Sequence, residues 1–148
     1  MAVVASLCPV LLCSVTAQGS DARIDRNRIE KCPDTPNCVS SRSADLSHYA
    51  PPFQLKVPSD RAWTALQGIL ATEERMRIVE EARGDGYVHA EAVSLIFRFV
   101  DDVEFQILPE DHLIHVRSAS RVGHWDFGVN RRRAERIRGR LQAAGIIK

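Results

Sequence analysis

Along the chain, apolar positions change period several times, and each change marks an element. Phe53-Gln-Leu-Lys-Val57 alternates apolar and polar and predicts a first strand; Pro51 and Pro52 keep the approach extended. Pro58-Ser59-Asp60 then opens a helix, with Ser59 expected as its cap and Asp60 at the positive end of the dipole. Ala62, Trp63, Leu66, Ile69 and Leu70 recur at helical spacing and define one buried face, with Trp63 in the core. Strands are expected over Arg75–Arg83, Tyr87–Val93, Leu95–Val100, a period-two run through Val103, Phe105 and Ile107, and Leu113–Ser118. Gly84-Asp85-Gly86 and Pro109–His112 supply the turns. A final helix is expected from about Phe127 to Ala144. Its inner side carries Ala134, Ile137, Leu141 and Ala144, and its arginines spread over a solvated face. This order predicts an α+β fold of two layers, an antiparallel sheet of about five strands backed by two helices.

Composition limits the function classes. With 148 residues, 45% hydrophobic and 26% charged, the chain is sized for one domain with a real core. A net charge of +1 supplies no global drive toward nucleic acid, which is not an expected partner. The 20 basic residues comprise 17 Arg and only three Lys (Lys31, Lys56, Lys148). Arg is favoured where a fork grips a carboxylate or phosphate, although a coding bias gives the same excess.

Residues 2–17 carry no charged side chain and are mostly apolar or small. They suit a signal peptide cleaved before Gln18, or a retained membrane anchor. Residues 18–31 read as a polar linker, and 32–148 as the single domain. An exported protein, periplasmic or membrane-associated, is therefore expected, with the N-terminus as its membrane contact. Cleavage would leave Cys32 and Cys38, six apart across a spacer with two prolines. A disulfide is favoured over zinc, because the spacing is wide and no second ligand pair exists. No metal or other cofactor is implied.

Three stretches carry the dense polar chemistry: Cys32-Pro-Asp-Thr-Pro-Asn-Cys-Val-Ser-Ser41, Phe99-Val-Asp-Asp-Val-Glu104, and the segment from Val116 to Arg131. Together they resemble the domain of unknown function 1499 family over about residues 32–143. The resemblance implies a bacterial or plastid protein, often exported or membrane-associated, and supplies no activity.

The residues themselves leave alternatives open. Strand alternation sends Asp101 and Asp102 to opposite faces, puts Arg117 and Arg121 on one face, and puts Ser118 and Ser120 on the other. Two arginines on one face need carboxylates or an anion between them. A structural ion-pair network and an anion site both satisfy this. Arg117, Arg121, Asp126 and one of Asp101 and Asp102 are expected to form one cluster beside the last helix. Asn130 and Arg131 complete the ligand candidates, with Asp126 either flanking an anion site or capping that helix itself. The leading expectation is a non-catalytic binding or interaction module of the cell envelope, with an envelope protein or a small anion as partner. One rival is a hydrolase, with Asp101 or Asp102 as base and Arg117 and Arg121 holding an anionic substrate. A lipid or anion carrier, with a void lined by Phe97, Phe99 and Trp63, is the other.

Overall fold

The structure is a computed structural model and describes residues 25–148. Residues 1–17, expected as a signal peptide or anchor, and residues 18–24 of the polar stretch lie outside the described residues. Six strands and two helices follow in the order β1 (Cys38–Ser40), β2 (Phe53–Gln54), α1 (Ser59–Ala71), β3 (Met76–Ala82), β4 (Tyr87–Val93), β5 (Val100–Leu108), β6 (Leu113–Ser120) and α2 (Val129–Ala143). The sheet is antiparallel, ordered β1-β6-β5-β4-β3. β2 also pairs with β6, so β1 and β2 form an interrupted edge. This is the expected α+β architecture.

Both helices lie on one face of the sheet. Strand alternation sends Val88, Ala90 and Ala92, then Val103, Phe105 and Ile107, then Ile114 and Val116 toward them. α1 returns Ala62, Trp63, Leu66, Ile69 and Leu70, the face set by its sequence period, and α2 returns Ala134, Ile137 and Leu141. Ala144 instead is exposed past the end of α2.

Three local expectations change. Ser59 does not cap α1: the N-cap position is Pro58, whose carbonyl accepts from the Arg61 and Ala62 amides. The first strand shortens to two residues, because the Leu55 and Lys56 amides turn to His112 and Ile146. Leu95–Val100 is a loop except for Val100, with Ser94 bonding across it to Phe99. An apolar run without alternation carries no instruction on pairing, and here β4 and β5 already pair directly from Val93 to Val100.

The other face of the sheet is covered by the chain's own lead-in. Residues 25–31, from the stretch read as linker, run across it with Ile29 buried. The Asp25 carbonyl accepts from Gln106, Arg26 pairs with Glu110 and Asp111, and Arg28 pairs with Glu80 and Asp85 while stacking over Tyr87. The α2 arginines likewise hold the protein together. Arg136 and Arg140 grip the buried Glu73, and Arg138 donates to the carbonyls of Pro51 and Pro52.

The β3–β4 turn depends on Gly86. Its φ is +63°, and a Cβ there would lie 2.3 Å from the Ile107 carbonyl oxygen. Gly84, two residues earlier, faces open space. Gly86→Ala should therefore lower stability by about 2–4 kcal/mol, from left-handed strain plus displacement of β5. Gly84→Ala should change it by well under about 1 kcal/mol. Urea denaturation of both variants measures the contrast.

Candidate functional site

The sheet divides the polar motif residues into two groups on its opposite faces. Asp101 points to the helix side. It is buried and pairs with the equally buried Arg133 at 2.6 Å. Arg133 also donates to Ser118 Oγ at 3.0 Å and Asn130 Oδ1 at 2.7 Å. Ser118 donates to the same Asn130 oxygen at 2.6 Å. The Asn130 amide nitrogen donates to Ser120 Oγ at 3.0 Å and to the Asn37 carbonyl at 2.9 Å. Asn37 extends the chain of bonds to the Gly123 carbonyl at 2.7 Å. One network thus joins β5, β6, α2 and the disulfide loop. Asn130 and Ser118 have no solvent exposure at all.

On the opposite face, Arg117 and Glu104 form a second buried pair at 2.5 Å, and Glu104 accepts from the Tyr87 hydroxyl at 2.8 Å. Burial and the adjacent Glu104 carboxylate push the Tyr87 phenol above its ordinary value. Nearer the sheet end, Arg121 bridges Asp102 and Glu91, each at 2.7 Å. His89 Nε2 lies 2.7 Å from the same Asp102. Burial works against the Asp102 charge, yet Arg121 and His89 hold its carboxyl below the usual range. Arg121, bonded to both carboxylates, is raised correspondingly.

The expected single cluster therefore separates. Arg117 and Arg121 share a face but have different partners, and Asp101 belongs to a network across the sheet. Asp126 pairs with none of these arginines and touches the helix-side network only through the Asn130 backbone amide. Its Oδ1 accepts from the Gly128 amide at 2.8 Å and its Oδ2 from the Asn130 amide at 2.9 Å, so it caps α2 and occupies the donors an anion would use. Arg131 donates to the Ser47 and Tyr49 carbonyls and borders a cleft of about 350 Å³ with Trp125 and Phe127. Cys32 and Cys38 are disulfide-bonded, with Cα atoms 5.7 Å apart. Among the described residues, no three His, Cys, Asp or Glu side chains gather as metal ligands.

Sequence reasoning missed Tyr87, His89 and Glu91 on the face away from the helices and two contributors to the helix-side network. Arg133 was legible as the i+3 neighbour of Asn130, which places both on one side of a helix. Asn37 was hidden in a motif read only for its cysteines. Ser118 and Ser120 have no adjacent base: they face Asn130 and Arg133, whereas His115 points to the other face. Phe97 and Phe99 stack on the exposed β4–β5 loop, while Trp63 is buried beside Gly86 at the other end of β4. The three therefore do not line a common void.

His115 reports on the sheet edge. Ser41 Oγ accepts from the Val116 amide and lies 2.9 Å from His115 Nδ1, within hydrogen-bond reach of the ring. Burial, reinforced by the Arg42 charge, lowers the His115 pKa to about 4. The unfolded chain then binds a proton near pH 6.5 that the folded chain refuses until about pH 4. Stability should fall as pH drops through this window. The melting temperature of His115→Asn should show a smaller loss between pH 7 and pH 4.5.

The two arginine classes should separate by mutation. Asp101→Asn leaves Arg133 buried without its counter-charge and should cost about 3–5 kcal/mol. Arg121→Ala, at a pair whose arginine is 43% exposed, should cost about 1 kcal/mol or less. Chemical denaturation distinguishes the two, and equal losses would contradict the assignment.

Comparison with known proteins agrees with the motif reading. No curated protein matched the chain. A family model described as "Protein of unknown function (DUF1499)" matches residues 28–141, a span that includes the disulfide loop, both buried ion pairs and nearly all of α2. The chain belongs to the DUF1499 family.

Proposed function

We propose that this protein is an exported, non-catalytic binding module of the cell envelope, periplasmic or membrane-associated. It meets its partner through the end of the sheet from which the β4–β5 and β6–α2 loops emerge. One contrast carries the reading. Asp101, Ser118, Ser120, Asn130, Arg117, Arg121 and Asp102 all bond to partners within the chain. The large apolar side chains of residues 95–99 and 122–129, by contrast, stand in solvent. Groups committed to one another serve as a scaffold, whereas exposed apolar clusters mark contact surfaces. The hydrolase alternative needs a base and an arginine pair converging on one space. Asp101 and Asp102 instead face opposite sides of the sheet, and each already pairs with its own arginine. The disulfide suits an oxidising compartment, and the uncharged residues 2–17 suit export.

Site-specific photo-crosslinking in the producing cell tests this. A photoreactive side chain at Phe97 or Phe127 should form adducts, of whatever chemistry, that the same group at Glu110 does not. No adducts at the first two positions, or equal yields at all three, would overturn the reading.

A further inference from the structure

Resting on that reading of the loop end as the contact surface, we propose that its partner is the surface of an anionic lipid bilayer, into which the loop tips insert. The register brings the two loops together. Val93 pairs with Val100, Asp101 with Ser120, and the Arg121 amide donates to the Val100 carbonyl. Leu95, Ile96 and Phe97 are consecutive and 71%, 78% and 72% exposed. From the second loop, Trp125 and Phe127 are 68% and 88% exposed. The first turn of α2 links the loops: Val129 borders a cleft with Leu95, and Gly128 borders one with Trp125 and Phe127.

Three observations favour a bilayer over a protein face. First, Leu95, Ile96 and Phe97 follow one another at a loop tip, each with its side chain mostly exposed. A fluid acyl layer surrounds such a tip, whereas a flat protein face meets only one side of it. Second, the charge beside the patch is positive. Among the described residues, Arg98, Arg131 and Arg132 have no carboxylate partner; against them stand Asp126, bonded to the α2 amides, and Glu74 in the Leu95 cleft, which pairs with Arg75. Apolar tips flanked by arginines match the acyl and anionic headgroup layers in turn, and Trp125 suits the boundary between them. Third, the opposite end of the sheet lacks this chemistry. Its turns carry Asp85, Glu110 and Asp111 and no exposed large apolar side chain.

The described chain starts at that acidic end, where the Asp25 amide donates to Asp85. β5 alone, nine residues long, separates the two ends by about 30 Å. The test must therefore report on the loop tips themselves, apart from any membrane contact made by residues 2–17.

Trp125 is such a reporter, because the chain's other tryptophan, Trp63, is buried. The full chain is mixed with phosphatidylcholine vesicles with or without phosphatidylglycerol. With the anionic lipid, Trp125 emission should shift to the blue and be quenched by lipids brominated on their acyl chains. Affinity should be roughly a hundredfold higher with anionic lipid than without, from three arginines near the surface, and should weaken with salt. Phe97→Ser with Phe127→Ser should abolish the shift without changing the melting temperature. Arg98→Gln with Arg132→Gln should cut the preference for anionic lipid to about fivefold, the share left to Arg131.

Emission that stays unshifted and unquenched on anionic vesicles, even if the protein sediments with them, overturns the proposal. A blue shift that grows with protein concentration in the absence of lipid does so too, by assigning the surface to a second copy of the chain. Photo-adducts at Phe97 and Phe127 made only to protein would leave the contact surface standing and remove the bilayer as its partner.

Discussion

The buried pair between Asp101 and Arg133 is the constraint on which the arrangement of this domain depends. Neither charge has more than slight access to water, so each needs the other and a full set of hydrogen bonds around it. Those bonds come from Ser118 and Asn130, and Asn130 reaches Ser120 and the Asn37 backbone beside the disulfide. The start of α2, the ends of β5 and β6, and the Cys32–Cys38 loop are thereby held in one position. A shift of α2 would leave a charge unpaired in the interior, so the pair restrains the helix position as well as contributing stability.

The same pair explains why the polar motif residues do not gather in one place. Period-two alternation puts successive side chains on opposite faces, and the helices cover only one of them. Asp101 meets Arg133 under α2, while Asp102 meets Arg121 and His89 across the sheet. The second buried pair, Arg117 with Glu104, lies beneath the lead-in segment, where Glu30 approaches Arg117. Chemistry that looks concentrated along the sequence is distributed in space as two braces and one capped helix.

With the motif residues bracing the sheet, the surface chemistry concentrates at its ends. One end is acidic and polar, and its turns are tied down by Arg26 and Arg28. The other presents aromatic and aliphatic tips beside arginines that bond to carbonyls and not carboxylates. The braces explain how such tips can be presented on a stable base. Each loop leaves from a strand end held by a network, so apolar exposure at the tip need not loosen the core.

The sequence by itself determined the α+β class, the buried faces of α1 and α2, the turn at Gly86 and the disulfide. All of these follow from short-range rules: a 3.6 or 2.0 period, a backbone that only glycine fits, or two cysteines across a proline bend. Membership of the family was equally legible, because its motifs are contiguous. Only the tertiary structure decided the rest. Which arginine meets which aspartate depends on strand register and helix placement across tens of residues, and no local pattern encodes that. Leu95–Val100 reads as a strand because apolar composition alone does not distinguish a buried segment from an exposed tip. Residues 25–31 read as a linker because their anchors, Glu80, Asp85 and Gln106, lie far away in sequence. The physical reason is common to all three: pairing and burial are properties of neighbours that only the folded chain brings together.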